Sequence, residues 1–273
     1  MVTTIQRHRG TIDEIQGDGI LAFFGAPLAA PDDPVRAVAC AIEMQLALRD
    51  FNAEQRGLGL PELAMGVGIN TGEVIVGNIG SEQRTKYGAV GNPINLAYRI
   101  ESHTIGGQIL LSPDTYERVA VLVRLRGTMT AEFKGLERPL TLYDVNGLAG
   151  DYQLFLPEHA DDIPIPLDPP LPIACFPIEG KILAATAVPG TLVALGAGAA
   201  DLMLEVQVPA RVNLKIVLDP STPGDSREVY AKVLRSHAGL ARVAFTSVSE
   251  AARAYLNGHR APAGSQPASE ASP

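Results

Sequence analysis

Two incompatible apolar periods run through this chain, and the switch between them divides it into modules. Val35, Val38, Ile42 and Leu46 recur at the spacing of one helix face. Far downstream, Leu202, Leu204, Val206 and Val208 alternate, as do Val212, Leu214, Ile216 and Leu218, which is the period of a strand with one buried side. Between these regions Asp151–Pro172 holds six prolines and five acidic residues with no lysine or arginine, a linker composition. The pattern predicts an α/β module over 1–147, a linker over 148–175 and a small all-β module over 176–258. A disordered Pro/Ser/Ala-rich tail is expected over 259–273.

The net charge of −8 opposes a nucleic-acid-coating role, because neutralising phosphates needs a Lys/Arg surplus. Cys40 and Cys175 are too few and too far apart for a disulfide scaffold or a Cys-based zinc site, and a reducing, cytoplasmic setting fits. None of the five histidines has metal-ligand spacing. Met1–Gly10 is polar and lacks the apolar core of a signal peptide. Ile182–Ala200 carries no charge, but Pro189-Gly190 divides it, so it reads as a turn between two short strands and no membrane segment is expected.

Local signals fill in the first module. Thr11–Ile15 and Ile20–Phe24 flank Gly17-Asp18-Gly19, a strong hairpin signature. Asp33-Pro34 can open a helix that runs to about Phe51. Strands are expected at Leu63–Ile69, Glu73–Ile79, Ile109–Leu111, near Ala131–Phe133 and at Leu140–Val145, with a short helix at Asn92–Glu101. On that helix Asn95 and Arg99 are four apart and share a face. An amide and a guanidinium aimed at one place suit an anionic ligand, although by composition alone a surface arginine with a helix-start asparagine is the favoured reading.

Four blocks in fixed order change this reading: GTIDEIQGDGILAFFGAP (Gly10–Pro27), GVGINTGEVIVGNIGS (Gly66–Ser81), YGAVGNPINLAYRIE (Tyr87–Glu101) and FKGLERPLTLYDV (Phe133–Val145). Together they resemble the class III adenylate/guanylate cyclase catalytic domain. The resemblance implies an α+β, ferredoxin-like sandwich that works as a dimer and closes a nucleoside triphosphate to a 3′,5′-cyclic monophosphate, with two Mg²⁺ or Mn²⁺ ions held by two aspartates. Asp18 matches the second metal aspartate, and Asn95 and Arg99 match the pair that orients the ribose and steadies the α-phosphate. Lys134 matches the lysine at the terminal phosphates. Glu14 stands where adenylate cyclases carry a lysine, and Gly88 where they carry an aspartate or threonine. A carboxylate accepts from the N–H groups of guanine, so GTP is favoured over ATP. Glu14 also fits an exposed strand carboxylate, and Gly88 offers no side-chain contact.

One departure bears on activity. The family's first metal aspartate and its strand have no counterpart before Gly10, and Asp13 lies in the wrong strand register to replace that aspartate. The expectation is a cyclase sandwich lacking its first strand, truncated or with a misassigned start, and impaired on its own. The alternative is a non-catalytic partner that pairs, as a homodimer or heterodimer, with a complete cyclase. Thr191–Leu256 resembles a PilZ domain, a barrel closed by a C-terminal helix, which here begins at Ser249. PilZ modules take cyclic di-GMP through an RxxxR stretch and a [DN]xSxxG turn. No arginine lies between Pro139 and Ala210, and ALGAGA (Ala194–Ala199) replaces the turn, so a structural or protein-contact module is expected rather than a cyclic di-GMP-responsive adaptor.

Overall fold

The computed structural model describes residues 1–58, 60, 62–81, 84–133, 138–157, 164–179, 182–221 and 227–259. It forms two units, Met1–Glu158 and His159–Pro273. Along the first run α1 (Val2–Arg7), β1 (Thr11–Gln16), β2 (Gly19–Phe23), α2 (Asp33–Gly57), β3 (Val67–Ile69), β4 (Ile75–Ser81), β5 (Arg84–Val90), α3 (Asn92–Ser102), β6 (Ile109–Leu111), α4 (Pro113–Val119), β7 (Val123–Ala131), β8 (Leu140–Leu148) and β9 (Leu154–Phe155).

The sheet that seats this unit has the order β3-β6-β8-β7, with β9 paired to the end of β8 at Gly147 and Leu148. Val38, Ala39, Ala41 and Ile42 of α2 pack on it against Ile109, Leu111, Val145 and Leu148, as the helical spacing predicts. A neighbouring stripe of α2, Cys40 and Met44, turns instead to Ile5 of α1 and to Ile12, Ile20 and Phe24 of the β1–β2 hairpin. The helix therefore serves two small cores. Two hairpins, β1–β2 and β4–β5, stand apart from the larger sheet. The strand expected near Ala131–Phe133 lies earlier, because the branched and apolar positions Val123, Leu125 and Met129 pair with β8 from Val123 to Ala131. The sequence reading had no counterpart for most of β5.

The second unit contains β10 (Ile165–Glu179), β11 (Ile182–Leu183), β12 (Val188–Leu195), β13 (Ala199–Leu204), β14 (Asn213–Leu218), β15 (Glu228–His237), β16 (Leu240–Val248) and α5 (Glu250–His259). The order β10-β12-β13-β16-β15-β14 closes when β14 pairs back onto β10, which leaves no open edge in the ring. The linker reading of 148–175 needs correction at both ends. Asn146–Leu148 finishes β8, and residues 165–175 form most of the first barrel strand. Proline content suggested a linker, but Leu171, Ile173 and Cys175 alternate into the core, and that burial decides the conformation. Pro189-Gly190 is likewise no turn. It lies inside β12, opposite Ala174 and Ile173 of β10. The turn falls instead at Gly196–Gly198, within the ALGAGA stretch. Ser249 caps α5, its hydroxyl accepting from the Ala252 amide at 3.2 Å, and Ala252 and Leu256 are buried. His259 ends that helix, so it is not part of a tail; the remainder of the expected disordered tail lies outside the described residues.

Cys175 is fully enclosed in the barrel, and burial pushes its thiol up to about 12 from an ordinary 9.0. The unfolded thiol ionises first, so the barrel's stability is expected to fall as pH climbs from about 9 towards 12. Cys175→Ala should flatten that part of a plot of urea midpoint against pH.

Candidate nucleotide site

The hairpin register sets the first group. Gln16 pairs with Gly19, so Gly17-Asp18 is a two-residue turn, and Asp18 is exposed at its tip. Glu14 is exposed on β1 opposite Leu21. The second group is held by α3, which Gly91 alone joins to β5. Gly91 has φ +154°, a conformation that side chains rarely adopt, and Gly88 and Asn95 are thereby kept close along the chain.

What seats α3 is another glycine. A Cβ on Gly68 of β3 would lie 2.3 Å from the Glu101 amide nitrogen and 2.8 Å from the Ala97 carbonyl oxygen, so helix backbone rests directly on strand backbone. Ile100 is buried with Leu110, Phe133 and Leu142, and Leu96 packs against them. The same period presents Asn95, Tyr98 and Arg99 outward, all exposed.

Charge links the hairpin to this helix. The Tyr98 hydroxyl is pushed above its ordinary range by desolvation, then by Glu14 and Asp13, while Lys86 acts in the opposite sense. Lys86 Nζ also lies 3.4 Å from Asp13 Oδ1. Asp13 adjoins Gly88: a Cβ there would stand 2.3 Å from Asp13 Oδ1. Sequence reasoning treated Asp13 only as a failed metal ligand, and it passed over Tyr98 and Lys86. The adjacency of Asp13 to Glu14 was the available signal, but strand alternation sends neighbours to opposite faces unless a bulge intervenes.

Residues 3–147 match the family model for the adenylate and guanylate cyclase catalytic domain. The chain belongs to this family. The cyclase domain is 34% identical over 146 residues to adenylate cyclase 1 of Rhizobium meliloti (strain 1021), a match covering 53% of this chain and 22% of that protein. Among solved structures, the guanylyl cyclase Cya2 is 55% identical, with a TM-score of 0.55 over 57% of this chain and 79% of the other. The adenylyl cyclase CyaB from P. aeruginosa is 31% identical, with a TM-score of 0.51 over 59% and 78%. The chain spans about a quarter or less of the length of the curated relatives it matches first.

Within the cyclase domain Gly88 lies against Asp13, the neighbour of Glu14, and Asn95 and Arg99 share one exposed helix face. Lys134 lies outside the described residues. A cavity of about 260 Å³ opens between β2, α2, β3 and α3, walled by Ile20, Phe24, Met44, Val67 and Ile94. None of Glu14, Asp18, Gly88, Asn95 and Arg99 lines it. Glu14, Asp18, Asn95 and Arg99 are exposed instead, and Gly88 is buried. Asp18 on its own is a poor fit for Mg²⁺ or Mn²⁺, and no three His, Cys, Asp or Glu among the described residues gather as a metal cluster. No helix among them is long and apolar enough to cross a membrane.

Proposed function

We propose that this cyclase domain handles a purine nucleoside triphosphate, GTP in preference to ATP, for conversion to the 3′,5′-cyclic monophosphate and pyrophosphate in cytoplasmic cyclic nucleotide signalling. The observation that carries the reading is that Asp13, the neighbour of Glu14, lies against Gly88, and that both carboxylates act on Tyr98 of the helix that presents Asn95 and Arg99. In this arrangement Glu14 accepts from guanine N1–H and its exocyclic amine, and Asn95 orients the ribose. The 3′-hydroxyl oxygen bonds to the α-phosphorus as the bond to the pyrophosphate oxygen breaks. Arg99 donates from its planar fork to the α-phosphate oxygens as charge gathers there. Lys134 is assigned to the terminal phosphates. The 55% identity to a guanylyl cyclase, against 31% to an adenylyl cyclase, supports the choice of base.

Because Glu14, Asn95 and Arg99 are exposed, the site needs a second polypeptide to enclose the nucleotide, either another copy or a different cyclase subunit. A second reading, that the chain is mainly the non-catalytic half of a mixed dimer, is favoured by the finding that no three His, Cys, Asp or Glu among the described residues gather around a metal position. The barrel is a PilZ-like structural or protein-contact module that does not take cyclic di-GMP, since Ala194 and Gly196 stand where polar ligand groups would be needed.

Titration of the chain with GTP and ATP in Mn²⁺ buffer tests the base reading. GTP is expected to bind more tightly, and Glu14→Lys to shift the GTP-to-ATP affinity ratio towards ATP by roughly 10- to 100-fold. An unchanged ratio in Glu14→Lys removes Glu14 from base recognition.

A further inference from the structure

Asp13 is a buried acid to which the proposed chemistry gives no task. It is the extra residue of a bulge in β1: Ile12 faces Ala22 and Glu14 faces Leu21, so Asp13 has no partner across the ladder. Its side chain is only 7% exposed, and Oδ1 makes no hydrogen bond among the described residues. Lys86 Nζ lies 3.4 Å away and supplies a counter-charge without an aligned hydrogen bond. A buried acceptor left without a donor is costly, so a donor from a ligand would relieve it.

The direction of the carboxylate narrows the ligand. Lys86 and Gly88 are two apart on β5 and share a face, and Asp13 is set against both. Oδ1 occupies the space in which any side chain at position 88 would begin. That is the position from which, by the family resemblance, a side chain would read the purine. We propose that Asp13 is a second purine-reading carboxylate, standing in for the side chain that Gly88 lacks and selecting guanine together with Glu14. This rests on the nucleotide reading above.

The chemistry favours one base. Guanine offers adjacent donors at N1 and its 2-amino group, which two acceptors can share. Adenine sets a lone pair at N1 beside a single amine, so one carboxylate would meet an acceptor and remain unpaired. Tyr98, which feels both Asp13 and Glu14, keeps its proton at neutral pH and supplies a hydroxyl at the same place.

A purely structural Asp13, present only to neutralise Lys86, makes a different prediction. Isothermal titration of the full chain with GTP and with ATP in Mn²⁺ buffer, alongside melting temperature, separates the two. Asp13→Asn and Gly88→Ala are each expected to lower the GTP-to-ATP affinity ratio about tenfold, Gly88→Ala by pushing Oδ1 aside. The double variant should go no further, because both changes remove one contact. A ratio unchanged in Asp13→Asn overturns the proposal, whatever happens to the melting temperature. If Asp13→Asn fails to fold, Gly88→Ala interrogates the same oxygen, and an unchanged ratio there overturns it equally. Wild-type chain that binds neither nucleotide overturns this inference together with the reading beneath it, whereas a GTP preference that survives the substitutions overturns this inference alone.

Discussion

Mixed with a cyclase that retains its metal carboxylates but has lost its own arginine, this chain is expected to restore cyclic nucleotide synthesis. Its Arg99→Ala variant is expected to restore roughly 10²- to 10³-fold less. The size follows from where charge appears. As the 3′-oxygen closes on the α-phosphorus, negative charge gathers on oxygens that a guanidinium fork can reach with two parallel hydrogen bonds. Lysine cannot reproduce that geometry, so Arg99→Lys should recover only part of the loss. Arg99 and Asn95 share the exposed face of α3, and the partner in such a mixture brings the metal chemistry that Asp18 alone does not fit. Equal restoration by wild type and Arg99→Ala would remove Arg99 from the reaction. No restoration by wild type would remove the shared site itself.

Gly68→Val is expected to have the largest structural effect in the cyclase unit. The new Cβ would fall 2.3 Å from a helix amide nitrogen and 2.8 Å from a carbonyl oxygen, both backbone atoms that no rotamer change can move aside. Either β3 bows or α3 lifts, and overpacking of this kind costs about 3 kcal/mol, or roughly 6–12 °C in melting temperature for a unit of this size. The same shift should weaken nucleotide binding, since α3 presents Asn95, Tyr98 and Arg99. Ile100→Val loosens the apolar side of the same helix without driving it off the strand, so it should cost only about 1 kcal/mol and leave binding nearly intact. Differential scanning calorimetry with GTP titration reads both effects. A Gly68→Val chain that melts like wild type would show that the close contact of α3 and β3 is not tight in solution.

Elements whose signals are local were legible. The β1–β2 turn is written in Gly17-Asp18-Gly19, and α3 in a glycine, a first-turn proline and apolar residues four apart, so the face carrying Asn95 and Arg99 could be assigned from spacing. The alternation of Val212–Leu218 and the serine before α5 were equally local. β10 was misread for the opposite reason. Its prolines are a local signal against a strand, whereas the burial of Leu171, Ile173 and Cys175 between β12 and β14 is a long-range gain visible only once the barrel closes. β12 runs through Pro189-Gly190 on the same grounds.

The candidate site divides along the same line. Residue order alone determined the family and the residues that match its motifs, because motif spacing is a property of the chain. Only the tertiary structure decided that Asp13 is buried against Gly88, since a bulge's extra residue breaks the alternation on which spacing arguments depend. The apposition of α3 and β3 through Gly68 was decided there too. It depends on two backbones meeting across about thirty residues, a fit in space that no local pattern encodes.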